Sequence, residues 1–94
     1  MDKRKRNKAA ALEYDSTYKA PIVTALGVGE VADRIVEKAY ENDVPVVENE
    51  ELAELLQNVN IGECIPNELY DTVAKIIAYI VDMDYTITKR RGKK

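Results

Sequence analysis

Residues 42–70, which read NDVPVVENEELAELLQNVNIGECIPNELY, carry a series of start and stop signals that few folds accommodate. Asn42 and Asp43 are turn formers that end the preceding segment, and residues 44–48 form an apolar run too short for a helix. Asn49 is a good N-cap for the acidic segment after it, and Pro66 suits the first position of another helix. The run therefore predicts a short buried strand followed by two helices.

The segment before this run predicts two strands and an amphipathic helix. Residues 9–14 are apolar and lead into turn formers, residues 22–26 are a β-branched run entered through a proline, and residues 28–41 are apolar at helical spacing. We expect strands 22–26 and 44–48 to be parallel and joined by a right-handed crossover. The predicted fold class is therefore α/β, with a small mixed β-sheet of about three or four strands flanked by three or four helices in a single domain.

Each predicted helix has an apolar face that we expect to be buried. The apolar faces comprise Val28, Val31, Ala32, Ile35, Val36 and Ala39 in the first helix, Leu52, Leu55, Leu56 and Val59 in the second, and Leu69, Val73, Ala74, Ile76, Ile77 and Ile80 in the third.

Near the end of the chain, residues 85–88 (YTIT) favour a strand more than a helix.

Charge is strongly segregated along the chain. Residues 9–88 carry four basic and sixteen acidic residues, a net charge of −12, whereas residues 1–8 carry +4 and residues 89–94 carry +5. We divide the chain into a basic N-terminal tail (1–8), a domain (9–84) and a segment with a short strand and a basic tail (85–94). An acidic domain repels nucleic acid, and basic tails without base-reading side chains bind phosphate without sequence preference. On composition alone, the tails are also typical of disordered, solubilising ends.

No arrangement of residues predicts an enzyme, a cofactor site or a metal site. The chain lacks histidine and has a single cysteine, Cys64, which excludes a nucleophile–histidine pair and an intrachain disulfide. Residues 27–32 (GVGEVA) imitate a dinucleotide-binding motif, but one βαβ unit supplies only half of the sheet that such a ligand needs. Glu50, Glu51 and Glu54 fit a solvated face at a helix start better than a metal site.

Several short motifs lie within the predicted elements, namely ALEYD (11–15), AP (20–21), VPVVE (44–48), IG-IP-ELY (61–70) and AYI (78–80). Together with the order of the elements, these motifs resemble the cytoplasmic domain of the FlhB/YscU family, whose members are export-gate components of flagellar and type III secretion systems. The resemblance covers about residues 9–81. It implies a domain that follows a transmembrane portion and cleaves itself at an Asn-Pro-Thr-His turn just before strand 9–14, as export switches from early to late substrates.

The cleavage motif is absent from this chain. Its four positions fall on Arg4, Lys5, Arg6 and Asn7. In the family's reaction, an asparagine side-chain amide attacks its own main-chain carbonyl and closes a cyclic imide, with geometry and proton transfer supplied by the strained turn and its neighbours. Asn7 stands at the histidine position and precedes Lys8 instead of proline. We therefore expect no self-cleavage by this route.

A second departure from the family concerns the sheet. The resemblance implies a strand before the cleavage turn, but residues 1–8 are too charged to supply it. We expect the sheet to lack one strand and to expose an edge. Either residues 85–88 fold back onto that edge, or another chain donates a strand to it.

The resemblance also implies a patch that recognises short apolar signals in export substrates. Matched residue by residue, this predicted patch consists of Ala20, Pro21, Ala74 and Ile77. Small side chains beside a rigid proline leave a shallow apolar hollow that suits an extended peptide. The alternative interpretation is that Ala74 and Ile77 belong to the helix core and that Ala20 and Pro21 form only a turn.

These features predict a free-standing, non-enzymatic FlhB-like module in the cytoplasm. No apolar stretch approaches the roughly 18 residues that span a bilayer, and the N-terminus lacks a signal peptide. The expected partners are membrane-embedded export gate proteins and export substrates, and the module would replace or compete with the fragment released by cleavage. The alternative is a peripheral adaptor that its basic tails recruit to the anionic inner face of the cell membrane. Neither function involves a cofactor or specific nucleic acid.

Overall fold

The computed structural model describes residues 7–14 and 17–79, together with the backbone of residues 84–88. Two strands come first, followed by a helix, a third strand, two further helices and a last strand. The elements are β1 (Lys8–Glu13), β2 (Ile22–Val28), α1 (Glu30–Glu41), β3 (Val46–Glu48), α2 (Glu50–Leu56), α3 (Asn67–Tyr79) and β4 (Asp84–Thr88).

The strands of the described chain form one mixed sheet of four strands in the order β2-β1-β4-β3. β1 runs antiparallel to both β2 and β4, and β3 runs parallel to β4. β2 and β3 therefore point in the same direction, as predicted for the two strands that α1 connects, but two other strands lie between them. This sheet and its helices confirm the predicted α/β fold class.

β4 pairs with the side of β1 that faces away from β2, so the expectation that residues 85–88 fold back onto the incomplete sheet is confirmed, and no strand from another chain is needed there. Thr86 is opposite Ala11 of β1 on one side and opposite Val46 of β3 on the other. Residues 85–88 do fold back onto the sheet, but they fill an internal position instead of extending an edge. Since β3 has three residues and β4 is its neighbour in the sheet, β4 joins β3 to the rest of the fold.

A β-bulge interrupts the pairing of β1 with β2. Ala11 and Leu12 are adjacent in β1, but their partners in β2 are Ala25 and Val23, so Thr24 is an extra residue. The Thr24 hydroxyl donates a hydrogen bond to the carbonyl oxygen of Ala11 (3.2 Å). A bulge redirects the side chains around it. As a result, Thr24 and Ala25 both line the space beside α1.

Apolar residues are buried on both faces of the sheet. Because side chains alternate along a strand, the neighbours Ala9 and Ala10 of β1 belong to different clusters. The larger cluster contains residues of α2 and α3, and the smaller one contains residues of α1. The larger cluster comprises Ala10, Leu12, Val23, Leu52, Ala53, Leu56, Ile65 and Val73, and the smaller one Ala9, Ala32 and Val36.

The predicted apolar faces are confirmed only in part. In α2, Leu52 and Leu56 are buried as expected, but Leu55 is 45% exposed because the seven-residue helix buries a narrow face. Val28 belongs to the end of β2 and not to the helix, and Val31 is 50% exposed. Ile80, predicted for the third helix, lies outside the described residues.

Gly27 and Gly29 have structural roles where β2 leads into α1. A Cβ atom on Gly27 would lie 2.6 Å from Val31 Cγ1 and 2.9 Å from the backbone nitrogen of Ala32, so only glycine allows the helix to approach this closely. Gly29 caps α1 with a positive φ of 68°. The glycines of residues 27–32 thus meet the needs of helix packing and helix initiation.

Candidate binding surfaces

Of the four positions that match the lost cleavage motif, the structure describes Asn7, whereas Arg4, Lys5 and Arg6 lie outside the described residues. Asn7 is tied to the start of α1. Its carbonyl oxygen accepts a hydrogen bond from the Gly29 amide (2.7 Å), and its side-chain Nδ2 donates to Asp33 Oδ1 (3.0 Å). These two bonds fix the chain where it enters β1.

The β2 side of the predicted patch is anchored by a loop. The Pro21 side chain is buried and Ala20 is half-buried. The Pro21 carbonyl oxygen accepts a hydrogen bond from the Ile65 amide (3.0 Å), and the Ala20 carbonyl oxygen accepts one from Cys64 Sγ (3.9 Å). Pro21 therefore supports the surface from beneath, and Ala20 is the member that a ligand reaches from this side.

The α3 side of the predicted patch is more open. Ala74 and Ile77 are half-buried and lie three residues apart, so they share a helix face. Ile77 and Ala20 both pack against the larger apolar cluster. The structure thus brings Ala20 and Ile77 to the same cluster, while Ala74 lies beside buried Val73 on α3.

Residues 62–65 cover the outer edge of β2 at its start, which the sequence did not reveal. The Val23 amide donates to the Glu63 carbonyl oxygen (3.0 Å), and the Gly62 amide donates to the Val23 carbonyl oxygen (2.7 Å). Ile22 and Cys64 form an antiparallel bridge. Because Gly62 has a φ of 94°, its IG motif is the sequence signal for this turn. The loop holds Ala20 and Pro21 in position.

A second surface, the α1 groove, lies between α1 and the strands β1 and β2. Its volume is about 590 Å³. The alternation of residues along β1 puts Ala11, part of its floor, on the opposite face of the sheet from Ala10 of the larger cluster. Sequence reasoning missed this groove. The residues that line it are Ala11, Leu12, Glu13, Thr24, Ala25, Val31, Arg34, Ile35, Lys38, Ala39, Asn42 and Val44.

Two negative findings apply to the part of the chain that the structure describes. None of its helices combines the length and the apolar character needed to traverse a bilayer. Nor do three histidine, cysteine, aspartate or glutamate side chains converge there in a way that could hold a metal ion. The features that remain on the described surface are apolar hollows and charged rims, which suit binding.

Comparison with known proteins identifies relatives that match most of the chain. A family model described as the FlhB HrpN YscU SpaS Family matches residues 6–80. The protein YlqH of Bacillus subtilis (strain 168) is 40% identical over 85 residues, which make up 89% of this chain and 91% of YlqH. The flagellar biosynthetic protein FlhB of Helicobacter pylori is 34% identical over 84 residues, or 88% of this chain and 24% of that protein. FlhB of Escherichia coli is 43% identical over 74 residues, or 77% of this chain and 19% of that protein.

The matched region contains both candidate surfaces. Residues 6–80 run from the approach to β1 through the end of α3, and β4 follows the matched region. The chain spans most of YlqH but about a quarter or less of the two FlhB proteins. On the strength of this match, the chain belongs to the FlhB, HrpN, YscU and SpaS family.

Proposed function

We propose that this chain is a non-enzymatic module of the flagellar or type III export apparatus, acting in the cytoplasm at the membrane-embedded export gate. Membership of the family supports an export-related role. Relatives named flagellar biosynthetic protein FlhB support a link to flagellum assembly. In this proposal the module works by binding gate proteins and export substrates, and by replacing or competing with the fragment that cleavage releases from a full FlhB protein.

The internal position of β4 is the observation that carries this proposal. The resemblance implies a sheet that includes a strand from before the cleavage turn. Here a strand that follows α3 pairs with both β1 and β3. The domain can therefore complete its sheet without a strand ahead of β1, so it has the means to act where a cleaved fragment would act.

The predicted patch is the proposed contact with gate proteins or substrates. Ala20, Ala74 and Ile77 are half-buried, so each retains some accessible apolar surface. The loop 62–65 holds the start of β2 through backbone hydrogen bonds to Pro21 and Val23, and Cys64 Sγ donates to the Ala20 carbonyl oxygen. A rigid, shallow apolar surface of this kind loses little conformational entropy when an extended peptide binds.

The double variant Ala20→Asp/Ala74→Asp tests this contact. In a pull-down from the host cell, we expect the wild-type chain to recover the membrane-embedded export gate protein. We expect the double variant to recover little of it, because two carboxylates in an apolar contact lose their hydration. Circular dichroism should give a melting temperature within a few degrees of wild type, since neither alanine is fully buried.

Thr72→Asp/Ala78→Asp is the matched control. Both residues are exposed on α3, and the double substitution adds the same two negative charges. The control should retain gate binding. Equal recovery by both double variants would show that the predicted patch is not the contact, and failure of the wild-type chain to recover the gate protein would contradict the proposed function itself.

Stability against self-cleavage is a further expectation of the proposal. The chain contains no histidine, and Asn7 is followed by Lys8. The side chain and carbonyl of Asn7 are both engaged in hydrogen bonds to the start of α1. After days of incubation at neutral pH, mass spectrometry should find one chain of unchanged mass, and a break between residues 4 and 8 would refute this expectation.

A second candidate function is recruitment to anionic membranes, which the charge segregation favours. Residues 89–94 carry five basic residues and residues 1–8 carry another five. Each basic residue contributes about 1 kcal/mol near an anionic lipid surface, and salt screens this attraction. Co-sedimentation with phosphatidylserine vesicles that disappears in high salt, and on deletion of residues 1–6 and 89–94, would support this function. Gate binding that survives the same deletion would favour the module alone.

A further inference from the structure

The α1 groove is an apolar hollow with no assigned role, and its size matches that of a ligand site. Its volume of about 590 Å³ lies within the range of roughly 300 to 1,000 Å³ that is typical of small-ligand and peptide pockets. A helical partner, at about 10 Å in diameter, would not fit a hollow of this volume over more than a turn. A few residues of extended peptide would.

The groove exists because its floor is made of small side chains. Ala11 and Ala25 are opposite each other in the β1–β2 pairing, and both line the groove. At Gly27 the helix touches the sheet so closely that even a Cβ atom would clash. At Ala11 and Ala25, the side chains are only methyl groups, so the space between the sheet and α1 stays unfilled. Val44, whose amide donates to the Ala39 carbonyl oxygen (2.8 Å), lines one end.

The wall formed by α1 is apolar with a cationic rim. Val31 and Ile35 supply the apolar part, and Val31 is 50% exposed. Arg34 and Lys38 are exposed and lie four residues apart on the same helix face, where like charges repel. Within the described part of the chain, neither has an ion-pair partner. An acidic group bound between them would interact favourably with both positive charges.

The rim charge is unusual for this domain. Arg34 and Lys38 are two of the four basic residues in 9–88, a stretch that carries sixteen acidic ones. Glu13 lines the groove from β1, so the charged residues at the groove sum to +1 in a domain of strongly negative charge. The chain's own tails carry +4 and +5, so they do not complement this rim.

We propose that the α1 groove binds a short extended segment of another protein in which an apolar side chain stands next to an aspartate or glutamate. The apolar side chain would lie on Ala11 and Ala25 against Ile35, and the carboxylate would pair with Arg34 and Lys38. Since this site is formed by different residues from the predicted patch, it stands independently of the proposed export function.

The test uses the full ¹⁵N-labelled chain and three peptides: acetyl-Leu-Asp-Leu-amide and its Asn and Lys counterparts. We expect the Asp peptide to shift the amide resonances of Ala11, Ala25 and Lys38. It should bind roughly two- to fivefold more tightly than the Asn peptide, as expected for one exposed charge pair, and the Lys peptide should bind most weakly.

Charge reversal with a matched control tests whether Arg34 and Lys38 determine the preference for the Asp peptide. In Arg34→Glu/Lys38→Glu the preference should invert, so that the Lys peptide binds better than the Asp peptide. Lys19→Glu/Lys75→Glu makes the same change in net charge at exposed positions outside the groove and should keep the original preference. If both variants change the preference equally, net charge and not the groove is responsible, and the proposal fails.

A filling variant tests the floor. Ala25→Leu places a larger side chain in the groove and should weaken binding of all three peptides at least roughly fivefold, with a heteronuclear spectrum that still shows a folded chain. Should Ala25→Leu lose the fold, the smaller Ala25→Val, which adds two methyl groups at the same lining position and favours a strand, provides the second measurement of shape. Resonance shifts confined to Ala20, Ala74 and Ile77, or no shifts at millimolar peptide, would overturn the proposal.

Discussion

Gly27 controls how closely α1 approaches the sheet. A Cβ atom at this position would lie nearest to Val31 Cγ1 (2.6 Å), the backbone nitrogen of Ala32 (2.9 Å) and Ile35 Cδ1 (2.9 Å). A side chain can rotate away, but the backbone of a helix moves only as a unit. Any substituent at this position therefore displaces α1, and with it both the smaller apolar cluster and the wall of the α1 groove.

We expect Gly27→Ala to destabilise the fold by about 1–3 kcal/mol, as for other overpacking substitutions. Gly62→Ala is the matched control, since a Cβ atom there would meet nothing within 4 Å and the cost comes only from its φ of 94°. That cost is about 1–2 kcal/mol. Urea unfolding measures both, and only Gly27→Ala should also shift the amide resonances along α1. Amide resonances of α1 that are unchanged in Gly27→Ala would show that the added Cβ atom does not displace the helix.

At the scale of elements, local signals located the helices and strands well but predicted burial less well. The cap at Asn49 was visible in the sequence, and its side-chain oxygen does accept a hydrogen bond from the Leu52 amide (3.0 Å). Leu55 illustrates the limit, because its apolar character says that it can be buried but not which face of a seven-residue helix meets the sheet. That choice depends on the partner element, which periodicity does not identify.

Substitution of the neighbours Leu55 and Leu56 tests the difference in burial between the two faces of α2. Leu56 is fully buried in the larger cluster, so Leu56→Ala should lower the free energy of unfolding by about 2–5 kcal/mol. Leu55 is 45% exposed, and Leu55→Ala should cost less than about 1 kcal/mol. Both substitutions change helix propensity equally, so they differ only in burial. Equal losses in a denaturant titration would mean that α2 is rotated from the described orientation.

At the scale of the whole molecule, the sequence predicted the fold class but not the place of the last strand. The YTIT segment indicated a strand, and the charged residues 1–8 indicated that one was missing from the sheet. Neither indicated that β4 would enter between β1 and β3, because strand order depends on long-range pairing that local pattern does not encode. The α1 groove escaped prediction for a related reason: it arises where Ala11 and Ala25 meet across two strands.

The internal position of β4 makes it decisive for the stability of the sheet. Thr86 pairs with both Ala11 and Val46, so its substitution by proline removes a backbone donor in the interior of a sheet. We expect Thr86→Pro to cost about 3 kcal/mol or more in the free energy of unfolding. Hydrogen exchange at Val46, Val47 and Glu48 should accelerate more than at β2, because β3 is joined to the sheet through β4.

Thr86→Val is the control for this prediction. Valine keeps the backbone N–H and the branched Cβ that strands favour, so its cost should stay within about 1 kcal/mol and the exchange of β3 should be unchanged. Hydrogen exchange in the proline variant then has two possible outcomes for the whole sheet. Selective release of β3 in the proline variant means that β4 completes the sheet from within the chain, as the proposed function requires. Wild-type protection of β3 in that variant would mean that the sheet holds together without β4.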